Sequence, residues 1–235
     1  MNRLVEKTLA NGARYGYEYD ALGRITQLTG PEGQRLAYAW DERGDLASET
    51  DALGRVTSYA YDQMHRLTSI TNAAGGKTRM AYDESGNLAE VVSPEGRAQR
   101  YTYDALGRVT QSLDPAGEMT QYVYDAVGNL TQITEPQGRA TSISYDANGN
   151  ITQITDALGQ TVSFTYDSMD RVLTAADTAG ARTSYAYDLA GRLLSETDAH
   201  GGLTQYLYDA NGNVTAITDA ESRETGYAYD ALNRL

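Results

Sequence analysis

Eleven aspartates recur at one interval: positions 20, 41, 62, 83, 104, 125, 146, 167, 188, 209 and 230, each 21 residues after the last. Rows of carboxylates could serve two kinds of chemistry, coordinating calcium or pairing as general acid and base. Calcium-binding β-rolls set glycine and aspartate in nine-residue repeats, whereas here each 21-residue interval supplies one aspartate of this row. Acid–base catalysis needs two carboxylates in different environments, and a position repeated eleven times presents one environment. A local role remains. An aspartate side chain accepts a backbone N–H two residues on and so nucleates a turn.

Other candidate motifs dissolve into the same period. Gly75-Gly-Lys-Thr78 resembles the end of a phosphate-binding loop, but Thr71 stands where the first glycine belongs, and no helical pattern follows. Asn129-Leu-Thr131, Asn150-Ile-Thr152 and Asn213-Val-Thr215 match glycosylation acceptors, yet each is one Gly-Asn-apolar-Thr step of the repeat. His65 and His200 have no ligand partners at metal spacing. No Ser/His/Asp arrangement stands out. No cofactor, no metal and no enzymatic activity are expected.

The elements that carry these residues follow from the phrase Tyr101-Thr-Tyr-Asp-Ala-Leu-Gly-Arg108. Large and small residues alternate into the aspartate, the mark of a strand with two unlike faces. Asp125-Ala-Val-Gly-Asn129 reads as a tight hairpin loop, with glycine supplying the positive φ. Asn129-Leu-Thr-Gln-Ile-Thr134 is a second strand, and Glu135-Pro-Gln-Gly138 a return turn. Prolines 31, 94, 115 and 136 all fall eleven residues after a repeat aspartate, in that return turn, where a missing N–H removes no ladder bond. His65, Asp170 and Asn233 stand where other repeats have the turn glycine. We read them as drift within the repeat.

Each unit is thus one β-hairpin and a linking turn, and the fold class is all-β. The expected sheet has about 22 antiparallel strands and a length on the order of 100 Å at ~4.8 Å per strand. Accumulated twist would coil or close a sheet of that size, giving a solenoid or the wall of a shell. Residues 1–14 read as an incomplete leading repeat, and 15–235 as the array, truncated in its last repeat. Open sheet edges would pair with the rest of a longer polypeptide or with other copies.

Composition is a product of the repeat. Eighteen of 19 tyrosines lie one or three residues before a repeat aspartate. The position just before it forms a row: Tyr19, Trp40, Tyr61, Tyr82, Tyr103, Tyr124, Tyr145, Tyr166, Tyr187, Tyr208 and Tyr229. We expect this row to stack as an aromatic ladder, with ring pairs contributing roughly 0.5–1.5 kcal/mol each. Asp104, Asp125 and Asp188 would set the hairpin turns, and Gly107, Gly128 and Gly191 would permit them. A net charge of −13 argues against nucleic acid or an anionic membrane as partner. No apolar run is long enough to span a bilayer. Cysteine is absent, so there is neither disulfide framework nor thiol chemistry.

The phrase Tyr-x-Tyr-Asp-x-x-Gly-Arg-Leu resembles the Rhs/YD-repeat family. Tyr101–Val109, Tyr122–Leu130, Tyr185–Leu193 and Tyr206–Val214 carry it nearly intact, with Asn129 and Asn213 in place of arginine. The family includes Rhs polymorphic toxins, C components of insecticidal toxin complexes, wall-associated proteins and teneurins. The resemblance implies a spiralling β-sheet enclosing a hollow shell, a toxic domain as cargo, glycan binding in some members, and a secreted or cell-surface location. Family toxins carry an aspartyl self-cleavage motif, Asp-Pro-x-Gly-Leu. Here Asp114-Pro-Ala-Gly117 is followed by Glu118 and reads as an ordinary return turn. The expectation is a non-catalytic scaffold, a segment of a shell that encapsulates or presents a toxin or effector. A surface module that self-assembles into filaments or binds glycans is the alternative.

Overall fold

The computed structural model describes residues 3–235. Apart from one helical turn at Pro136–Gly138, all regular structure in that span is β-strand. The chain forms two compact units, residues 1–119 and 120–235. In the first, strands run in chain order from Glu6–Thr8 to Val109–Leu113. In the second they run on to Glu224–Gly226, the first of them, Met119–Tyr124, starting at the boundary.

Within each unit every strand pairs antiparallel with its neighbour in sequence, as for Lys77–Tyr82 with Leu88–Val92 and Leu193–Thr197 with Leu203–Tyr208. The hairpin carrying the repeat aspartate contains a bulge. Thr102 faces Gln111 while Tyr103 faces Val109, leaving Thr110 as the extra residue. The same slip recurs between Ala81 and Tyr82 and between Ala186 and Tyr187. It places the apolar residue after the turn, such as Val109 or Leu193, opposite the aromatic rather than on the other face. The extra residue is often a threonine. Thr68 and Thr131 donate their hydroxyls to the carbonyls of Ala60 and Val123, at 3.0 and 3.2 Å.

Both kinds of turn have one geometry. Asp104 N–H donates to the Arg108 carbonyl at 2.9 Å, and Gly107 N–H to the Asp104 carbonyl at 3.0 Å. Asp104 Oδ1 accepts from Leu106 and Arg108 N–H at 2.9 and 3.0 Å. The return turn at Asp114 repeats this pattern, its Oδ1 accepting from Ala116 and Glu118 N–H at 2.8 and 2.9 Å. Asp51, Asn72, Asp156 and Asp198 do likewise. Sequence reasoning gave this role to one aspartate per repeat and missed the second. Its signal was present, an Asp or Asn with glycine three residues on.

No second layer covers the strands within a unit. The accessible surface is 15558 Å², against ~10,000 Å² for a compact chain of this mass. Among the described residues only Ser69 (6% exposed), Ala216 (7%) and Thr174 (8%) are buried. All three hold the same repeat position, seven after the aspartate, mid-strand between two neighbours. Stability therefore comes from contacts between adjacent strands and repeats, not from a central core.

Candidate functional site: an arginine niche between repeats

The aromatic before each aspartate reaches back to the preceding repeat. Tyr103 Oη donates to the Leu88 carbonyl at 2.7 Å, Tyr82 to Leu67 and Tyr145 to Leu130 at 2.8 Å. Tyr19, Tyr166, Tyr187 and Tyr208 reach Leu4, Ile151, Val172 and Leu193. Trp40 does the same with its indole N–H, to Ile25 at 2.8 Å. Every one of these bonds spans 15 residues. Tyr124 ends its strand opposite Leu130. Tyr229 is half-buried beside the final turn. Tyr61 follows the repeat that carries Asp41 and Asp45. Burial first, then the charges of Asp45 and Asp41, raise its hydroxyl pKa above the usual value.

Rings at this position in successive repeats lie two strands apart, roughly 10 Å. Ring pairs need ~4.5–7 Å between centroids. Where the preceding repeat carries arginine, its guanidinium stands over the ring. The Arg66 guanidinium carbon sits 4.6 Å from the Tyr82 centroid, Arg171 4.7 Å from Tyr187, and Arg192 4.8 Å from Tyr208. Arg24 stands 5.5 Å from Trp40, and Arg3 5.7 Å from Tyr19.

Each such arginine is held at several points. Arg171 Nε donates to its own turn's Asp167 Oδ2 at 2.7 Å, while Nη1 donates to the Asp188 carbonyl of the next turn at 3.0 Å. Arg192 makes the equivalent bonds to Asp188 and Asp209, at 2.7 and 3.1 Å. The guanidinium also runs beneath the next turn's glycine. A Cβ on Gly86 would lie 3.5 Å from Arg66 Nη1, and one on Gly191 3.7 Å from Arg171 Nη1. Anything longer than a methyl group there would meet the cation. Aspartate, arginine, ring and carbonyl thus form one chain of contacts from repeat to repeat.

The turn carboxylates are tuned by this setting. Asp104 is held below its ordinary value chiefly by the Arg108 backbone N–H, against the opposing effect of desolvation, with help from the Arg108 side chain. Asp188 is lowered in the same way by the backbone and side chain of Arg192. On the same face a carboxylate interrupts the apolar row. Glu49 pairs across the hairpin with Tyr38. Burial, then the Glu49 hydrogen bond and charge, push the Tyr59 hydroxyl up to about 12.

Of the five arginine slots filled by a shorter residue, three are matched by a departure in the next repeat. Asp45, Asn150 and Asn213 stand where arginine is usual, and the next repeat then has His65, Asp170 or Asn233 in place of turn glycine. Those three residues have positive φ, 61°, 60° and 56°. Each points its side chain back at the short residue. His65 Nδ1 is 2.8 Å from Asp45 Oδ2, and Asn150 and Asn213 donate to Asp170 and Asn233 at 2.7 and 2.9 Å. What looks like drift in the sequence is a substitution of one inter-repeat contact for another.

Hairpins joined end to end by these contacts define a single-layer repeat-sheet protein. The teneurin YD-shell family model matches residues 100–235, and the Rhs-repeat model matches 2–35 and 40–77. The chain belongs to the YD-shell family. Among solved structures, the crystal structure of TcdB2-TccC3 is similar over 97% of this chain, with TM-score 0.76 and 18% identity. TcdB2-TccC3 without its hypervariable C-terminal region gives TM-score 0.75 at 18% identity, again over 97% of the chain. At this identity the likeness is one of fold, and the chain spans 14% of the length of either structure. No curated protein sequence matches it. None of the described helices is long and apolar enough to cross a membrane.

Proposed function

We propose that the chain is a non-catalytic scaffold, a stretch of wall in a Rhs/YD-repeat shell that encapsulates or presents a toxin or effector. The observation that carries this reading is where the repeated polar groups are engaged. The Asp188 carboxylate, the Arg192 guanidinium, the Tyr208 ring and hydroxyl and the Asp209 carbonyl are all committed to joining adjacent repeats. Such contacts serve rigidity and extension, not turnover. The reading places the protein outside the cell or on its surface, with the remainder of a longer Rhs-type polypeptide as partner. Limited proteolysis of the natural polypeptide containing these residues tests it. A segment that resists protease until Arg171 and Arg192 are replaced supports an enclosing wall. Equal digestion in both forms overturns it.

A further inference from the structure

The geometry points to a guanidinium-binding niche at Asn129, one that accepts the arginine side chain of another polypeptide or a free guanidino compound. The protein supplies its own template in Arg171. That guanidinium is held by the Asp167 carboxylate, the Tyr187 ring, the Asp188 carbonyl and the space under Gly191. Two repeats earlier, 2 × 21 residues, the corresponding positions are Asp125, Tyr145, Asp146 and Gly149, and Asn129 replaces the arginine itself. All five line one cavity of about 600 Å³ in the second unit.

Why the cavity is there follows from chain length. Asn129 Nδ2 donates to Asp125 Oδ2 at 3.0 Å, matching the first contact of the usual arginine and reaching no further. At Asn150 and Asn213 the next turn brings Asp170 or Asn233 back into the space. At Asn129 the next turn carries Gly149, which has no side chain to return. Tyr145 keeps its hydroxyl bond to the Leu130 carbonyl, so the ring stays anchored as Tyr187 is. Asp125 and Asp146 both line the cavity, and none of its lining residues is basic.

The ligand class follows from shape and charge. A planar cation with donors along its edge can lie against a ring while bonding a carboxylate and a carbonyl, and guanidinium does this where a compact ammonium cannot. The test follows the Tyr145 ring resonances of the whole chain by NMR during titration with methylguanidinium, butylammonium, and a short acetylated Ala-Arg-Ala amide. Saturable shifts at Tyr145 are expected with methylguanidinium, at least several-fold weaker with butylammonium. Asn129→Arg should fill the niche from within, weaken methylguanidinium binding at least ten-fold and raise the thermal midpoint. Gly149→Asn, which copies the Asn213–Asn233 arrangement, should also block binding and serves if Asn129→Arg folds poorly. Peptide binding as tight as methylguanidinium assigns an arginyl side chain as the source. Methylguanidinium bound with the peptide excluded assigns a free compound. No saturable shift at Tyr145, or shifts that persist unchanged in both variants, overturns the niche.

Discussion

Asn150 Nδ2 donates to Asp170 Oδ1 at 2.7 Å, joining the arginine slot of one repeat to the glycine slot of the next. The two slots are 20 residues apart and are matched in two ways, long then absent or short then present, with Asn87 before Gly107 and Asn129 before Gly149 as the short-then-absent departures. Arg66 with Gly86 and Arg171 with Gly191 are the first kind, Asp45 with His65 and Asn213 with Asn233 the second.

The pairing predicts non-additive mutations. Asp45→Arg alone should destabilise, because the new guanidinium meets the His65 side chain where glycine is usual. His65→Gly should then restore much of the loss, although alone it removes the Asp45 contact. A double-mutant cycle by urea denaturation should give a coupling of about 0.5 kcal/mol or more. Additive effects would mean the two slots are independent.

The arginine–ring contact predicts a loss on conservative replacement. Arg66→Lys keeps the charge but not the planar fork that spans Asp62 and Tyr82. We expect a destabilisation of roughly 0.5–1 kcal/mol. The same lysine replacement at Arg97, an exposed return-turn residue whose backbone N–H donates to Ser93 Oγ, should change the urea midpoint much less.

Turn conformation predicts a larger effect. Gly107 has φ of 75°, and a Cβ there would lie 3.5 Å from Asn87 Oδ1. Gly107→Val forces a β-branched side chain into the left-handed region, and should destabilise by more than ~1 kcal/mol. An unchanged thermal midpoint would contradict the turn's role in stability.

Acid should weaken the fold through the same carboxylates. Asp104, Asp167 and Asp188 are all lowered from 3.8 in the folded chain. The unfolded chain therefore binds protons more readily as pH falls, so their contribution is present above about pH 4 and is lost as pH drops through the folded values. Asp104→Asn should keep the turn, as Asn72 does at a return turn, while shallowing the acid limb of a stability–pH curve.

An alkaline counterpart lies at Tyr59, whose hydroxyl is pushed up to about 12. Unfolding releases that proton more easily, so its contribution is present below pH ~10 and fades as pH rises towards 12. Glu49→Gln should lower the pH at which Tyr59 ionises in a spectrophotometric titration. A titration midpoint that does not move would separate Tyr59 from Glu49.

Strands and turns were legible because their causes lie within a few residues. Asp104 bonds backbone two and four positions on, and glycine three positions on accepts positive φ, so spacing alone locates them. The second Asx turn, found where the return turn opens on Asp or Asn, is equally local but stands beside the stronger tyrosine–aspartate signal. The links between repeats were not legible, because Tyr103 finds its acceptor 15 residues back and Arg66 finds its ring 16 residues ahead. Those distances become contacts only when strand register and the bulge at the aromatic bring the two positions to one face. Sequence periodicity alone therefore determined an all-β array of tyrosine–aspartate hairpins. Tertiary structure decided that an arginine, where the preceding repeat has one, lies over the next aromatic, since rings two strands apart, roughly 10 Å, leave a space that a guanidinium fills.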